Sequence, residues 1–351
     1  MTLAFDQSII EGPYLRDILS QPKALDDTCQ ALGVTPKLER LANRLRNGRF
    51  PRIVLTGMGS SYHALHPMNL ELVNSGFTAI TVETSELVHY EKRYLDSRTL
   101  IVAVSQSGRS AEILRLLEIN QGRSPVIGVT NTAGSLLATE TDAVVLTHAG
   151  EEFSVSCKTY TTGLMALEWL GGVLAGKGLR HKRSELAKAK GATAEYLEKW
   201  KKHVDELLAP LEGVRHLFLA GRGTSLAAVG VGALIIKEAD HFPAEGMSSA
   251  AFRHGPIEML HPEIFVLIFS GDVRASVLNR KLLQDVRDHG GRAASVGAAV
   301  ETGAFHLPKT PACLRPMLEI LPVQMITIAL AALAGREPGK FEITTKVTTT
   351  E

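Results

Sequence analysis

The feature that most restricts how this chain can fold is an internal repeat: Leu55-Thr56-Gly57-Met58-Gly59-Ser60-Ser61 returns about 160 residues later as Leu219-Ala220-Gly221-Arg222-Gly223-Thr224-Ser225. That spacing is one domain's length. Similar apolar runs surround both copies: Ile53–Leu55, Ile80–Val82, Leu100–Val104, Val126–Val129 and Val144–Leu146, then Leu217–Leu219, Ala244–Gly246, Phe265–Phe269 and Ala293–Val296. Short continuous apolar strands alternating with helical patterns predict parallel sheets covered on both faces. The fold class is therefore α/β, with two doubly wound parallel-sheet domains related by duplication.

The expected organisation is an N-terminal helical segment at 1–48, a first domain at 49–178, a helical connector at 179–210, a second domain at 211–337 and a C-terminal tail at 338–351. Leu15, Ile18, Leu19 and Leu25 supply the apolar periodicity of the opening segment. With 38 Lys and Arg against 37 Asp and Glu, the chain has no electrostatic footprint for nucleic acid or an anionic membrane. A small charged substrate fits that balance better than a polyanion. The one basic concentration, Lys177 to Lys190, is interspersed with Glu and Ala and reads as a solvated helix face. Cys29, Cys157 and Cys313 lie far apart without metal-ligand spacing, which suits a reducing compartment. Met1 to Tyr14 lacks the pattern of a secretory signal. Ile320 to Gly335 is apolar but interrupted by Pro322 and Gln324, and reads as a buried helix rather than a membrane span. A cytoplasmic location is the expectation.

Each Gly-x-Gly-Ser/Thr-Ser follows a strand and precedes a helical pattern, so its glycines permit a tight turn and the helix start can face an anion. A dinucleotide site needs a third glycine where Tyr62 stands, although Glu83 loosely imitates the ribose-binding acid. No cofactor and no metal are expected. The sharper feature is Ser105-Gln106-Ser107-Gly108-Arg109-Ser110, between the strand Leu100–Val104 and a predicted helix Ala111–Leu117. Three hydroxyls, an amide and helix N-terminal N–H groups form a suitable cradle for a phosphate monoester. A serine cap is the simpler reading, but capping needs one serine and three are present. In the second half the matching loop is Ser270-Gly271-Asp272, where a carboxylate would repel phosphate, so the anion site is assigned to the first half.

Taken together, Gly57 to Tyr62, Ser105 to Ser110, Glu151 to Thr162, Ile236-Lys237-Glu238, Arg253-His254-Gly255-Pro256 and the tail Thr345 to Glu351 resemble the double-SIS phosphosugar isomerases. That family includes the isomerase portion of glucosamine-6-phosphate synthase and SIS-type amino-sugar-phosphate deaminases. The resemblance implies two flavodoxin-like three-layer domains. It implies that Ser105, Gln106, Ser107 and Ser110 hold the sugar phosphate, with Ser60 and Ser61 also contacting substrate. It further implies that Glu238 moves a proton between C1 and C2, that His254 opens the sugar ring, and that Lys346 reaches the open-chain sugar.

Read by their own chemistry, these residues are less decided. The run Ser225 to Ala239 is almost wholly apolar, so Glu238 is a carboxylate anchored near a core, where partial desolvation suits a carbon base. Without the resemblance it is a helix-end acid paired with Lys237 or Arg253. Among twelve histidines, His254 stands out only through Gly255-Pro256 after it. Lys346 lies in a Thr-rich, β-prone tail that is expected to dock. It could offer charge to an enediolate or form a Schiff base.

The synthases carry a further N-terminal glutamine-hydrolysing domain and a lysine one turn before the base. This chain starts at Met1-Thr2-Leu3 and has Ile235 at the lysine position, so glutamine-dependent amination is not expected. The favoured reaction is glucosamine 6-phosphate to fructose 6-phosphate and ammonia. Aldose–ketose isomerisation, deglycation of a sugar-phosphate adduct and non-catalytic sugar-phosphate sensing are the alternatives. Because the phosphate loop and the base lie in different halves, the site is expected between domains or between subunits; in the family the histidine matching His254 reaches a neighbour's site, so the resemblance implies a homodimer with composite sites.

Overall fold

Every position of Thr99–Val104 is buried, as its unbroken apolar run requires of a strand with layers on both faces. In the computed structural model, which describes residues 7–300, 302–343, 345–348 and 350, it is the central strand of a five-stranded parallel sheet. Features read on Met1 to Asp6, Thr349 and Glu351 lie outside the described residues. The strands are β1 (Arg52–Gly57), β2 (Ala79–Glu83), β3 (Thr99–Val104), β4 (Val126–Thr130) and β5 (Ala143–Leu146), ordered β2-β1-β3-β4-β5. A second parallel sheet holds β6 (His216–Gly221), β7 (Ala244–Ser248), β8 (Ile264–Phe269) and β9 (Arg292–Val296), ordered β7-β6-β8-β9. Each predicted run is a strand, and the winding of the sheets reverses between β1 and β3 and between β6 and β8, the flavodoxin-like arrangement.

The chain divides into two compact, discontinuous units. Lys23–Glu151, Lys158–Lys188 and Thr344–Glu351 form one, and Met1–Pro22, Glu152–Cys157 and Ala189–Ile343 the other. This division cuts the 1–48 segment at Pro22 and the 179–210 connector at Lys188.

The predicted helical opening is α1 (Pro13–Leu19), α2 (Gln21–Ala31) and α3 (Pro36–Arg46). Thr35 starts α3 by accepting the Leu38 N–H at 3.2 Å, and Pro36 occupies the first position, where a missing N–H costs nothing. The β1–β5 unit continues with α4 (Gly59–Asn74), α5 (Thr84–His89), α6 (Ala111–Asn120), α7 (Leu136–Thr139), α8 (Lys158–Ala175) and α9 (Leu179–Leu186). Its core gathers Val54, Ile101 and Ala103 of the sheet with Leu87, Ile113 and Leu116 of the helices.

One basic residue of the Lys177–Lys190 stretch is not on a solvated face. Lys182 is buried, with Nζ 2.9 Å from Glu71 Oε1 and 2.6 Å from Glu168 Oε1. Glycines in α8 make room for it: a Cβ on Gly172 would stand 2.6 Å from Lys182 Cδ, and one on Gly171 2.7 Å from Glu71 Oε2. Burial by itself would lower the Lys182 ammonium, but Glu168 and Glu71 together hold it above its usual range.

The β6–β9 unit adds α10 (Lys188–Leu197), α11 (Trp200–Leu211), α12 (Leu226–Asp240), α13 (Ser249–Arg253), α14 (Val273–Asp288) and α15 (Arg315–Ala334). Ala312–Ala334 is the one helix among the described residues long and apolar enough to cross a membrane, and 89% of its most apolar window is buried in the protein. The polar breaks in that run have internal partners. Gln324 and Gln21 exchange amide hydrogen bonds at 2.8 and 3.3 Å, and Thr327 Oγ1 lies 3.3 Å from the buried Tyr14 hydroxyl. The reading of this stretch as a buried helix therefore holds.

Replacing Lys182 with Met leaves Glu71 and Glu168 buried together with only the half-exposed Lys177, 3.0 Å from Glu71 Oε1, as counter-charge. The expected destabilisation is roughly 3–5 kcal/mol, measured as a lowered urea midpoint, while Glu185→Gln on the same helix leaves the midpoint unchanged.

Candidate functional site

Gly57 ends β1 beside Val104, its register partner on β3. A Cβ there would lie 3.0 Å from the Val104 carbonyl oxygen and 3.2 Å from the Ser61 carbonyl carbon, so glycine alone lets the first turn of α4 sit against the end of β3. Gly59, at φ 51°, turns the chain into α4. Ser60 and Ser61 follow in that first turn, half-buried. They stand at one side of the β1/β3 switch point, and Ser105 to Ser110 stand at the other.

In that second loop the serines support the backbone rather than cap the helix. Ser105 Oγ accepts the Gly108 N–H at 3.1 Å, and Ser107 Oγ accepts the Arg109 N–H at 3.2 Å. Ser110 occupies the cap position of α6 but its hydroxyl makes no capping bond. The capping alternative therefore fails for all three. Gly108 is left-handed at φ 61°, and a Cβ on it would fall 2.2 Å from Ser135 Oγ. The Gln106 carbonyl accepts from Asn131 N–H at 3.0 Å and from Thr130 Oγ1 at 3.1 Å, which ties the loop to the end of β4. Hydroxyl hydrogens and the α6 N-terminus then remain as donors for a phosphate group.

Two further groups stand at this site: the tail, whose docking its Thr-rich sequence predicts without naming the residue it meets, and Glu112, which had no sequence signal. The carbonyl of Thr348 in the tail accepts the Ala111 N–H at 3.2 Å, so the tail docks on the first residue of α6. Glu112 is buried in the same first turn, and its Oε2 has no partner. Lys346, two residues before Thr348, is half-buried.

Glu238 and His254 belong to the β6–β9 unit. Glu238 lies half-buried in the last turn of α12, which His241 closes in the left-handed conformation at φ 52°. His254 follows α13 and is exposed; Gly255 after it takes φ 138°, open only to glycine. Ser248 caps α13 by accepting the Ala251 N–H at 3.0 Å. Arg253, one of the partners considered for Glu238, is committed instead to Asp285 at 2.6 Å.

The second glycine loop differs chemically from the first. Ser225 is fully buried and donates to Glu319 Oε1 at 2.8 Å. Burial raises the Glu319 carboxyl to about 8, against the opposing pull of the Ser225 hydrogen bond and Arg315. Asp272 caps α14 by accepting the Ala275 N–H at 2.9 Å. A carboxyl and a carboxylate thus fill the positions where hydroxyls stand open in the first half. Glu319 has a retrospective signal: it is the lone acid in the apolar stretch Met317 to Val323. Among the described residues no cluster of His, Cys, Asp and Glu could hold a metal ion.

Glu319 gives a pH test. The native state keeps its proton up to about pH 8, whereas the unfolded chain releases it near the ordinary carboxyl value of 4.5, so its contribution to stability is present below pH 4.5 and is lost as pH rises to about 8. Glu319→Gln keeps an acceptor for Ser225 without the charge. Its unfolding free energy should gain on the parent by a few kcal/mol, in order of magnitude, between pH 5 and 8, and by nothing further at pH 9.

Residues 47–171 match the family model described as the SIS domain. Over 348 residues the chain is 30% identical to a glutamine--fructose-6-phosphate aminotransferase [isomerizing] of Pyrococcus horikoshii, covering 96% of this chain and 57% of that protein. The chain thus spans somewhat over half the length of this curated relative. Among solved structures it resembles the C-terminal domain of glucosamine-fructose-6-phosphate aminotransferase from Francisella tularensis, with TM-score 0.81, 21% identity, and 94% and 98% of the two chains covered. It also resembles a glucosamine-6-phosphate deaminase from Thermotoga maritima, with TM-score 0.77, 18% identity, and 97% and 100% covered. At these identities the two structural likenesses speak for the fold. Residues 47–171 thus match the SIS domain, the two parallel sheets have the α/β fold of the SIS-type structures, and nearly the whole of this chain aligns with 57% of the aminotransferase.

Proposed function

We propose that this chain is a phosphosugar isomerase or deaminase that converts glucosamine 6-phosphate to fructose 6-phosphate and ammonia. The observation that carries the reading is the Ser105–Ser110 loop, whose hydroxyls are not used as helix caps at the opening of α6. Support also comes from a relative named as an isomerizing glutamine--fructose-6-phosphate aminotransferase and from a structural neighbour named as a glucosamine-6-phosphate deaminase.

In this mechanism the phosphate rests on Ser105, Gln106, Ser107 and Ser110, with Ser60 and Ser61 beside the sugar. His254 carries a proton to the ring oxygen as the ring opens. Glu238 lifts the C2 proton to give an enolamine and returns a proton to C1, leaving an imine at C2. Water adds there, and ammonia departs as the ketone forms. Lys346 supplies positive charge to the oxygen at C1 while the enolamine exists. Plain aldose–ketose isomerisation uses the same proton transfer with an enediol in place of the enolamine.

We propose a division of labour in which the 49–178 domain holds phosphate, and the 211–337 domain with the tail supplies Glu238, His254 and Lys346 for proton transfer. The exposure of His254 fits a homodimer in which this imidazole serves the neighbouring subunit's site. Three cysteines outside any disulfide fit a cytoplasmic protein.

An ammonia-release and isomerisation assay over hexose and hexosamine 6-phosphates tests the reaction. Glucosamine 6-phosphate should release ammonia, and Glu238→Gln should lower kcat by about 10²–10⁴. Full activity in that variant removes Glu238 as the base. Binding without turnover of any sugar selects the sensor reading. Ser107→Ala should raise KM by roughly ten- to a hundredfold, the loss of one hydrogen bond to a charged group. Mixing Ser107→Ala with His254→Ala chains should restore activity in hybrid dimers, and confirmed hybrids without activity refute shared sites.

A further inference from the structure

The tail leaves α15 at Gly335, which closes that helix in the left-handed conformation at φ 62°. The next residue turns back onto the end of α12. Arg336 Nη1 donates to the Asp240 carbonyl at 2.8 Å. Its Nη2 lies 3.2 Å from His241 Nδ1 and 3.4 Å from Glu342 Oε1. Glu342 Oε2 in turn lies 3.7 Å from His241 Nδ1. Between these contacts, the Gly339 N–H donates to the Ala239 carbonyl at 3.0 Å. Gly339 has φ 75°, and a Cβ there would stand 2.9 Å from Tyr14 Cγ, so this turn accepts no side chain.

Residues 336–342 are therefore tied to Ala239, Asp240 and His241, the three residues that directly follow Glu238. The terminal carbonyls of a helix lack intrahelical partners and lie at the negative end of its dipole, where a guanidinium is well placed. A planar guanidinium can also serve two acceptors at once, which an ammonium on a flexible stem does less well. Arg336 uses one nitrogen on the helix end and the other on Glu342, four residues before Lys346.

We infer that Arg336 is a positioning residue, fastening the root of the tail through Glu342 to the end of α12 and so setting where the segment that bears Lys346 departs. This rests on the proposed roles of Glu238 and Lys346. Arg336 acts through the tail and touches no substrate. Removing its guanidinium frees the tail root while leaving the Ser105–Ser110 loop and the Glu238 carboxylate in place.

The test uses the full chain with Arg336→Met, which keeps the apolar stem. A misplaced Lys346 should lower kcat by about ten- to a hundredfold, with KM within about threefold of the parent. Hydrogen exchange in the peptide covering 340–351 should quicken, while exchange in β3 and β8 stays unchanged. In a Lys346→Ala background, Arg336→Met should cost nothing further, because both changes remove one contribution. Arg336→Lys should recover part of kcat. Losses that multiply in the double variant, or unchanged tail exchange, overturn the inference. Should Arg336→Met lower the thermal midpoint, Glu342→Gln at an exposed side chain carries the same measurements. If Lys346→Ala alone keeps full activity, the role proposed for Lys346 falls, and the fastening is then decided by tail exchange.

Discussion

The close approach of a helix start to a strand end at Gly57 is the constraint on which the candidate site depends. Parallel pairing sets Gly57 beside Val104, and the absence of a side chain lets α4 begin against β3. The two loops that leave these strands then open from one point of the sheet, on either side of its reversal in winding. Gly108 and Ser135 make a second fit of the same kind, holding the hydroxyl loop against the residues after β4. The tail's Thr348 carbonyl reaches the first N–H of α6 because that helix starts where this packing puts it.

Duplication gave the chain a second copy of this geometry, and the copy has been put to different chemical use. A glycine loop and a helix start offer donors in both halves. In the first, the Ser110 hydroxyl makes no capping bond, Ser107 and Ser110 are half-buried and Ser105 is buried. In the second, Glu319 takes the Ser225 hydroxyl and Asp272 takes the α14 cap. An anion cradle requires donors left unsatisfied until ligand arrives, whereas a buried polar group without ligand requires a permanent partner. Asp272, the carboxylate that caps α14, is also what would repel a phosphate from the second loop.

Much of this was readable from local pattern. The strand runs, the start of α6 and the burial of the last long helix follow from apolar periodicity and cap chemistry, which act over a few residues. Gln324 looked like an interruption of an apolar helix; its explanation lies in Gln21, 303 positions away. Lys182 looked like part of a solvated face until Glu71 and Glu168 closed on it. Arg253 looked like a partner for Glu238 and belongs to Asp285.

By itself the sequence determined the two parallel sheets, the repeat that relates them and the hydroxyl loop of the first half, because strand runs, glycine turns and helix starts are written in neighbouring residues. Only the tertiary structure decided that the loop serines leave α6 uncapped, that Glu319 closes the second loop, that Thr348 caps the start of α6, and that Arg336 fastens the tail root to the end of α12. The last three are pairings across tens to hundreds of residues. A polar atom's chemistry depends on which partner reaches it, and folding alone selects that partner.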